Sequence, residues 1–403
     1  MGVPRIADLQ FTVSLFAGDQ SMKRRLMVRG LGMAGAAAGA AFLAACGKKE
    51  EAAPPAATPA ATPAAPAVVA QEAIRWRLAS SFPKSLDTIF GAAEDMAKYV
   101  SNATGGKFQI SVHAGGELMP AFGVVDGVQG ATVEMAHTAP YYFFGKNETF
   151  ALGCAIPFGM NYRQFTAWYL QGNGGKLLRE FYAGYNIVNF LGGNTGAQMG
   201  GWWRREIKSL ADAKGAKFRI GGFGGKIFEA IGGVPQNIPG GEIYQSLEKG
   251  TIDAAEWVGP YDDEKLGFYK VAPFYAYPGW WEGGPQLDFF VNDKAYNALP
   301  AEYKAILEAA CVAAGTHMMA KYDARNPEAL KKLVAGGAKL FRFPNDMMDA
   351  AFKAAMDIYS DLNNKNPAWK KVYEDFSAYR RDANLWFRFT EAGFDGFMQQ
   401  QRL

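Results

Sequence analysis

Arg219 and Glu256 stand at the ends of two short apolar runs in the stretch from Lys217 to Asp263, KFRIGGFGGKIFEAIGGVPQNIPGGEIYQSLEKGTIDAAEWVGPYDD. A guanidinium in such a place suits a small carboxylate, because its N–H groups can match both oxygens and its charge is not lost. The plainer alternative is a surface arginine paired with Asp212 or Glu206. Phe218 and Ile220 alternate with Lys217 and Arg219 as in a strand, and Gly221, Gly222, Gly224 and Gly225 break it. A helix from Ile227 to Ile231 follows, stopped by Gly232 and Gly233, and a second runs from Glu242 to Lys249. Thr251 to Trp257 reads as the next strand, with Ile252, Ala254 and Glu256 on one face and Trp257 offering its backbone carbonyl. Strand, helix, helix, strand predicts an α/β unit. In such sheets ligands bind outside the carboxyl ends of the strands, where Arg219 and Glu256 both fall. The run GGFGGK is not a phosphate loop, which would need Gly at Ile220 and Ser or Thr at Ile227.

The surrounding chain supplies more of the same alternation. Strands are predicted at Ile74 to Ser80, Phe108 to His113 and Val133 to His137, with helices at Asp87 to Val100 and Phe122 to Val128, as in a parallel α/β sheet. The aromatics of Pro140-Tyr141-Tyr142-Phe143-Phe144 follow the last of these strands and are candidates for lining a cleft, Tyr142 among them, or for packing in the core. Pro300 begins a long helix to about Asp323, and a further helix lies within Pro344 to Asn363. Cys311 falls on its apolar stripe of Tyr303, Ile306, Leu307, Ala310, Ala314 and Met318, the environment of a small buried hydrophobe. From Pro367 to Phe389 a helix carries Trp369, Val372, Tyr373, Phe376, Tyr379, Ala383 and Trp386 on one side, which demands a partner surface.

The start of the chain reads as an address and a tether. Met22 with Lys23, Arg24, Arg25 and Leu26 forms a twin-arginine export pattern, and the Gly- and Ala-rich run to Ala45 is too short to span a bilayer. Leu43-Ala44-Ala45-Cys46 resembles a lipoprotein cleavage box, which makes Cys46 a candidate lipid anchor. The Ala, Pro and Thr that dominate up to Ala70 cannot build a core. The organisation read this way is an export signal over 1–45 and a tether over 46–73. The rest is long enough for two domains. A net charge of +3 without a basic stripe gives no sign of nucleic acid. The three histidines, His113, His137 and His317, have no zinc-type spacing, and neither a G-x-S-x-G elbow nor a Cys-His pairing is found, so enzyme chemistry has little to stand on.

The words FRIGG, PGGEIY, GTIDAAEWVGPYDD and PGWWEGG resemble the solute receptors of tripartite ATP-independent periplasmic (TRAP) transporters, in particular the branch that binds 2-oxo acids such as pyruvate. The likeness extends from about Ile74 to the C-terminal helix. It implies an α/β, two-lobed periplasmic-binding-protein-like fold with a long interlobe helix and an extended C-terminal helix. The segments would be a first lobe over 74–197, a second lobe over 198–285, a return to the first lobe over 286–363, and a C-terminal helix over 364–403 that can dimerise. It also implies that Arg219 binds the substrate carboxylate, and that Gln198, Glu256, Glu282 and the Trp257 carbonyl hold a cation that touches the substrate. Oxygen sets of this kind suit hard cations. The cation expected is sodium, with calcium as the alternative, because the charge count of the site favours a divalent ion. Gln198, Trp257 and Tyr142 join Arg219 as substrate contacts, while Trp202, Trp203, Trp280 and Trp281 either wall the pocket or pack in the core. The implied partners are a small carboxylate and the TRAP membrane permease, and the implied place is the periplasm, lipid-anchored. A receptor for another carboxylate or another transport or sensor system is the alternative, and a cation-dependent oxo acid lyase is a more distant one.

Overall fold

The computed structural model describes residues 73–401; the export pattern, the tether and Cys46 lie outside them. In chain order the strands are β1 (Ile74–Ser80), β2 (Phe108–His113), β3 (Met135–Thr138), β4 (Ile187–Asn194), β5 (Trp202–Trp203), β6 (Lys217–Arg219), β7 (Val234–Gln236), β8 (Ala254–Ala255), β9 (Phe274–Tyr277), β10 (Gln286–Asn292) and β11 (Lys339–Arg342). They form two sheets, ordered β2-β1-β3-β10-β4 and β11-β9-β5-β8-β6-β7. This is the α/β, two-lobed architecture the sequence implied.

The three strands expected to be parallel are so, but the first sheet as a whole is mixed. β1 runs parallel to β2 and β3, but β10 is antiparallel to both β3 and β4. The reason is that β10 re-enters from the second sheet instead of arriving through a crossover helix, the connection that makes neighbours parallel. The chain leaves the first sheet after β4 and comes back into β10, and the two crossing segments are stitched together. Gln198 N–H donates to the Glu282 carbonyl at 3.2 Å, Gly279 N–H to the Gln198 carbonyl at 2.9 Å, and Thr195 N–H to the Pro285 carbonyl at 3.3 Å. A side chain at Gly279 would come within 2.7 Å of the Met199 carbonyl, so this pairing needs a glycine.

The long helix spans Ala301–Ala335 and continues well past the predicted end near Asp323, through Pro327. A proline removes one helical hydrogen bond and usually ends the helix, but here the turns around it pack on the helix Pro260–Leu266, with Tyr261 N–H donating to the Asn326 side chain at 3.1 Å. The earlier turns lie on β4 and on the helix Gly91–Ala103, with Tyr303, Leu307, Ala310, Cys311, Ala314 and Met318 buried as the stripe predicts. The long helix therefore touches the first sheet at one end and the second-sheet side at the other. It then delivers β11 to the second sheet beside β9.

Pro367–Phe389 is helical over the span predicted, but Thr390 breaks it from a further helix, Glu391–Met398. The aromatic stripe divides at the middle. Trp369, Val372, Tyr373 and Phe376 are buried against their own fold, whereas Leu385, Trp386, Phe389, Phe394 and Phe397 are exposed, Phe389 to 74%. Among the described residues no helix is long and apolar enough to cross a membrane.

Candidate functional site

β6 and β8 are parallel neighbours with Arg219 opposite Ala255, which brings Arg219 and Glu256 side by side at their carboxyl ends. Both are buried, Arg219 to 1% exposure and Glu256 to 0%. Arg219 Nη1 donates to the Glu256 carbonyl at 2.9 Å and also to the Glu256 carboxylate, while Nε donates to the Ile238 carbonyl at 3.0 Å. Gly221 N–H adds a bond to the same carboxylate at 3.0 Å. The partner of Arg219 is thus neither Asp212 nor Glu206. Nη2 is buried without a hydrogen-bond partner. The Trp257 ring lies 5.2 Å from the guanidinium carbon, within cation–π range.

The predicted helix at Ile227 begins earlier, at Gly222, and runs to Ala230, so three of the glycines are helical and do not end the strand region alone. What they share is crowding. A Cβ on Gly221 or Gly222 would fall within 2.9 Å of the Tyr141 ring, and one on Gly224 within 2.8 Å of Ile220. Tyr141 and Tyr142 sit in the turn Pro140–Phe143 after β3, so the first sheet's aromatics press on the second sheet's glycine loop. Both belong to the aromatic run expected to line a cleft or pack in the core; Tyr142 is the expected solute contact, and the glycine pair at 221–222 is what marks the close approach of Tyr141. Burial, with Glu256 and Glu282 adding and Arg219 opposing, pushes the Tyr142 phenol up to about 12.

Glu282 is buried to 2%, far from the solvated loop residue that a Glu before Gly-Gly ordinarily is. The crossing bonds fix it beside Gln198, whose side-chain N–H donates to Thr195 at 3.0 Å. Burial raises both carboxyl groups. It does so for Glu256 against the pull of Arg219, and for Glu282 well above the usual range, because the charge of Glu256 adds to the effect. Three oxygens are left buried with no partner: Gln198 Oε1, Glu256 Oε2 and Glu282 Oε2. Orphaned buried acceptors are costly, and a hard cation is the partner such a set fits. Among the described residues no group of three or more His, Cys, Asp or Glu could hold a metal, so any cation here depends on amide and carbonyl oxygens beside the two glutamates.

A cavity of about 10 Å³, roughly the room for one water, lies next to these groups, and its lining includes Gln198, Thr195, Tyr141, Tyr142 and Trp257 with apolar side chains such as Phe82 and Leu287. Arg219, Glu256 and Glu282 do not line it directly. The four other tryptophans take the core alternative: Trp202 stacks on Tyr275 at 3.9 Å, Trp203 and Trp281 pack on Phe218, and Trp280 stacks on Phe158 at 5.7 Å.

Residues 79–366 match the bacterial extracellular solute-binding proteins of family 7. The monocarboxylate 2-oxoacid-binding periplasmic protein of Nostoc sp. is 49% identical over 324 residues, covering 80% of this chain and 89% of that one. A TRAP transporter solute-binding protein from Bordetella bronchiseptica, solved as a mixed-occupancy dimer with copurified calcium and picolinate, is 50% identical with a TM-score of 0.80, covering 81% of this chain and 97% of its own. One from Pseudoalteromonas atlantica with bound sodium and pyruvate is 35% identical with a TM-score of 0.78, covering 82% of this chain and 100% of its own. One from Colwellia psychrerythraea, also 35% identical, holds calcium and pyruvate, with a TM-score of 0.77 and coverage of 80% and 99%.

Proposed function

The chain belongs to the family 7 extracellular solute-binding proteins, the periplasmic receptors of TRAP transporters, and from that premise we propose that its cleft captures a small 2-oxo monocarboxylate together with a cation. The observation that supports the reading is that Arg219 Nη2 and the oxygens Gln198 Oε1, Glu256 Oε2 and Glu282 Oε2 are all buried without partners, with Glu256 bonded to Arg219 and the Glu282 carbonyl bonded to Gln198. Arg219 meets the carboxylate, and the cation sits among the oxygens with the Trp257 carbonyl completing the set. Gln198, Trp257 and Tyr142 wall the solute. Relatives with pyruvate bound alongside sodium or calcium support this assignment of ligand class.

Charge decides between the two cations. If the incoming cation ionises both carboxyl groups, which burial otherwise raises, Glu256 and Glu282 bring two negative charges, the solute one more and Arg219 one positive, so a divalent ion neutralises what a monovalent ion leaves half-compensated. Burying the residue of that charge is unfavourable, which favours calcium over the sodium expected from the resemblance. Either ion bridges protein and solute, so each must tighten the other by the same factor. Delivery to a sodium-driven membrane permease and tethering through a lipidated Cys46 complete the proposal, with lobe boundaries at 198 and 286.

The test is a melting series on metal-stripped protein, with a panel of 2-oxo acids crossed against sodium, calcium and choline salts. A solute at a hundredfold over its Kd stabilises by about 2.7 kcal/mol. At roughly 2.1 cal/mol/K per residue, for a chain of roughly 330 residues, that is about 4 °C. The shift should appear in a metal salt and shrink in choline. Equal stabilisation in all three salts would remove the bridging ion and leave Glu256 and Glu282 without their role.

A further inference from the structure

Asp262 is fully buried and does not line the cavity, although it lies close behind Trp257, which does. Its Oδ1 accepts the Thr88 hydroxyl at 2.7 Å and its Oδ2 accepts the Tyr322 hydroxyl at 2.7 Å. The three residues come from three separate parts of the fold. Thr88 lies between β1 and the helix Gly91–Ala103, on the first-sheet side. Asp262 lies in the helix Pro260–Leu266, which follows β8 of the second sheet, and Tyr322 lies on the long helix that packs against both sides. Thr88 and Tyr322 are as buried as Asp262. Next to them, at the rim, Asp87 pairs with Lys265 and Lys321 and accepts the Tyr261 hydroxyl at 3.2 Å. The Asp87 side chain is half exposed, and pairs of that kind contribute little. The buried bonds to a carboxylate are the stronger element, because separating them leaves a carboxylate short of a donor in a poorly solvated place.

We propose that Thr88, Asp262 and Tyr322 form a clasp that holds the first-sheet and second-sheet sides together over the cleft, and that it sets affinity without touching the solute. The proposal rests on the reading that this cleft captures a solute by closing. A contact made only in the closed form raises the closed fraction, and the observed affinity scales with that fraction whatever solute is bound. The clasp therefore acts by the same factor on every ligand, whereas a residue of the cavity wall would act on some ligands more than others. It also slows release, because the clasp must open before the solute can leave. Asp262 and Tyr322 are positioning residues in this scheme, and Thr88 is the removable half.

The experiment compares the parent with Thr88→Val, which keeps the side-chain shape and deletes the hydroxyl, and with Thr88→Ser. Pyruvate and a longer 2-oxo acid are the probes, with equilibrium affinity and dissociation rate measured for each in a calcium salt. Thr88→Val should bind both acids roughly tenfold more weakly with their ratio unchanged and with faster dissociation, and Thr88→Ser should restore the parent values. In the ligand-free proteins, amide hydrogen exchange over residues 86–91 should be faster in Thr88→Val than in the parent. Pyruvate affinity within twofold of the parent, or a changed ratio between the two acids, would overturn the clasp. If circular dichroism shows Thr88→Val unfolded, Tyr322→Phe is measured in the same way and judged by the same outcomes. If the parent itself binds neither acid, the ligand assignment fails, and the exchange comparison alone then upholds or overturns the clasp.

Discussion

Replacing Arg219 should damage the protein in two separable ways. Arg219→Ala leaves Glu256, which is fully buried, with only the Gly221 N–H as a donor, and it also strips the Ile238 and Glu256 carbonyls of their partners. Breaking a buried pair from one side costs about 3–5 kcal/mol. With the entropy of unfolding of a chain this size, that is a fall of about 4–7 °C in melting temperature before any solute is added. Binding suffers in addition, because the solute carboxylate loses the only guanidinium nitrogen left free for it, a loss of about 2–5 kcal/mol, or roughly 30-fold to several thousand-fold in affinity. Arg219→Lys should fail too, since one ammonium cannot reach the Ile238 carbonyl, Glu256 and the solute together. Pairing Arg219→Met with Glu256→Gln separates the effects: it removes the stranded charge and should recover most of the melting temperature without recovering binding. Calorimetry and thermal melts on the four proteins decide the matter. An Arg219→Lys protein that melts within about 1 °C of the parent and binds within about threefold, under 0.7 kcal/mol, would refute the reasoning.

Metal-stripped protein should lose stability as pH rises from 5 to 8. Burial holds the Asp263 carboxyl up at about 7 and raises Glu256, Glu282, Asp262 and Asp288 in the same direction, so the folded chain keeps protons that the unfolded chain releases. The contribution of Asp263, about 4 kcal/mol at roughly 1.4 kcal/mol per pH unit, is full below about pH 4 and gone above about pH 7. His137, lowered to about 4 by burial, opposes this slope below its ordinary pKa by a single proton. A melting temperature that climbs across this pH range would contradict the account, and Asp263→Asn should flatten the fall. The exposed half of the C-terminal aromatic stripe should be an assembly surface: light scattering should give a dimer for the parent and a monomer for the combined Trp386→Ser, Phe389→Ser and Phe394→Ser variant. A monomeric parent would dismiss that surface.

The sequence by itself determined the local pattern. Strand ends at Ile74, Ser80, Phe108 and His113, the span Pro367 to Phe389 and the buried face around Cys311 follow from periodicity and from Gly and Pro punctuation, which act over a few residues. The placing of Arg219 and Glu256 at neighbouring strand ends was legible in the same way. Other features depend on residues far apart in the chain, and only the tertiary structure decided them. β10 is antiparallel because of the route the chain takes back from the second sheet. The long helix survives Pro327 because a distant helix packs beside it. Glu282 is buried because its loop is bonded to the other crossing segment, and nothing in the letters Glu-Gly-Gly requires that. The free nitrogen of Arg219 is likewise a property of the fold: which of its donors are already taken is set by Ile238 and Glu256, carbonyls and a carboxylate that meet it only when the two strands and the loop between them are packed.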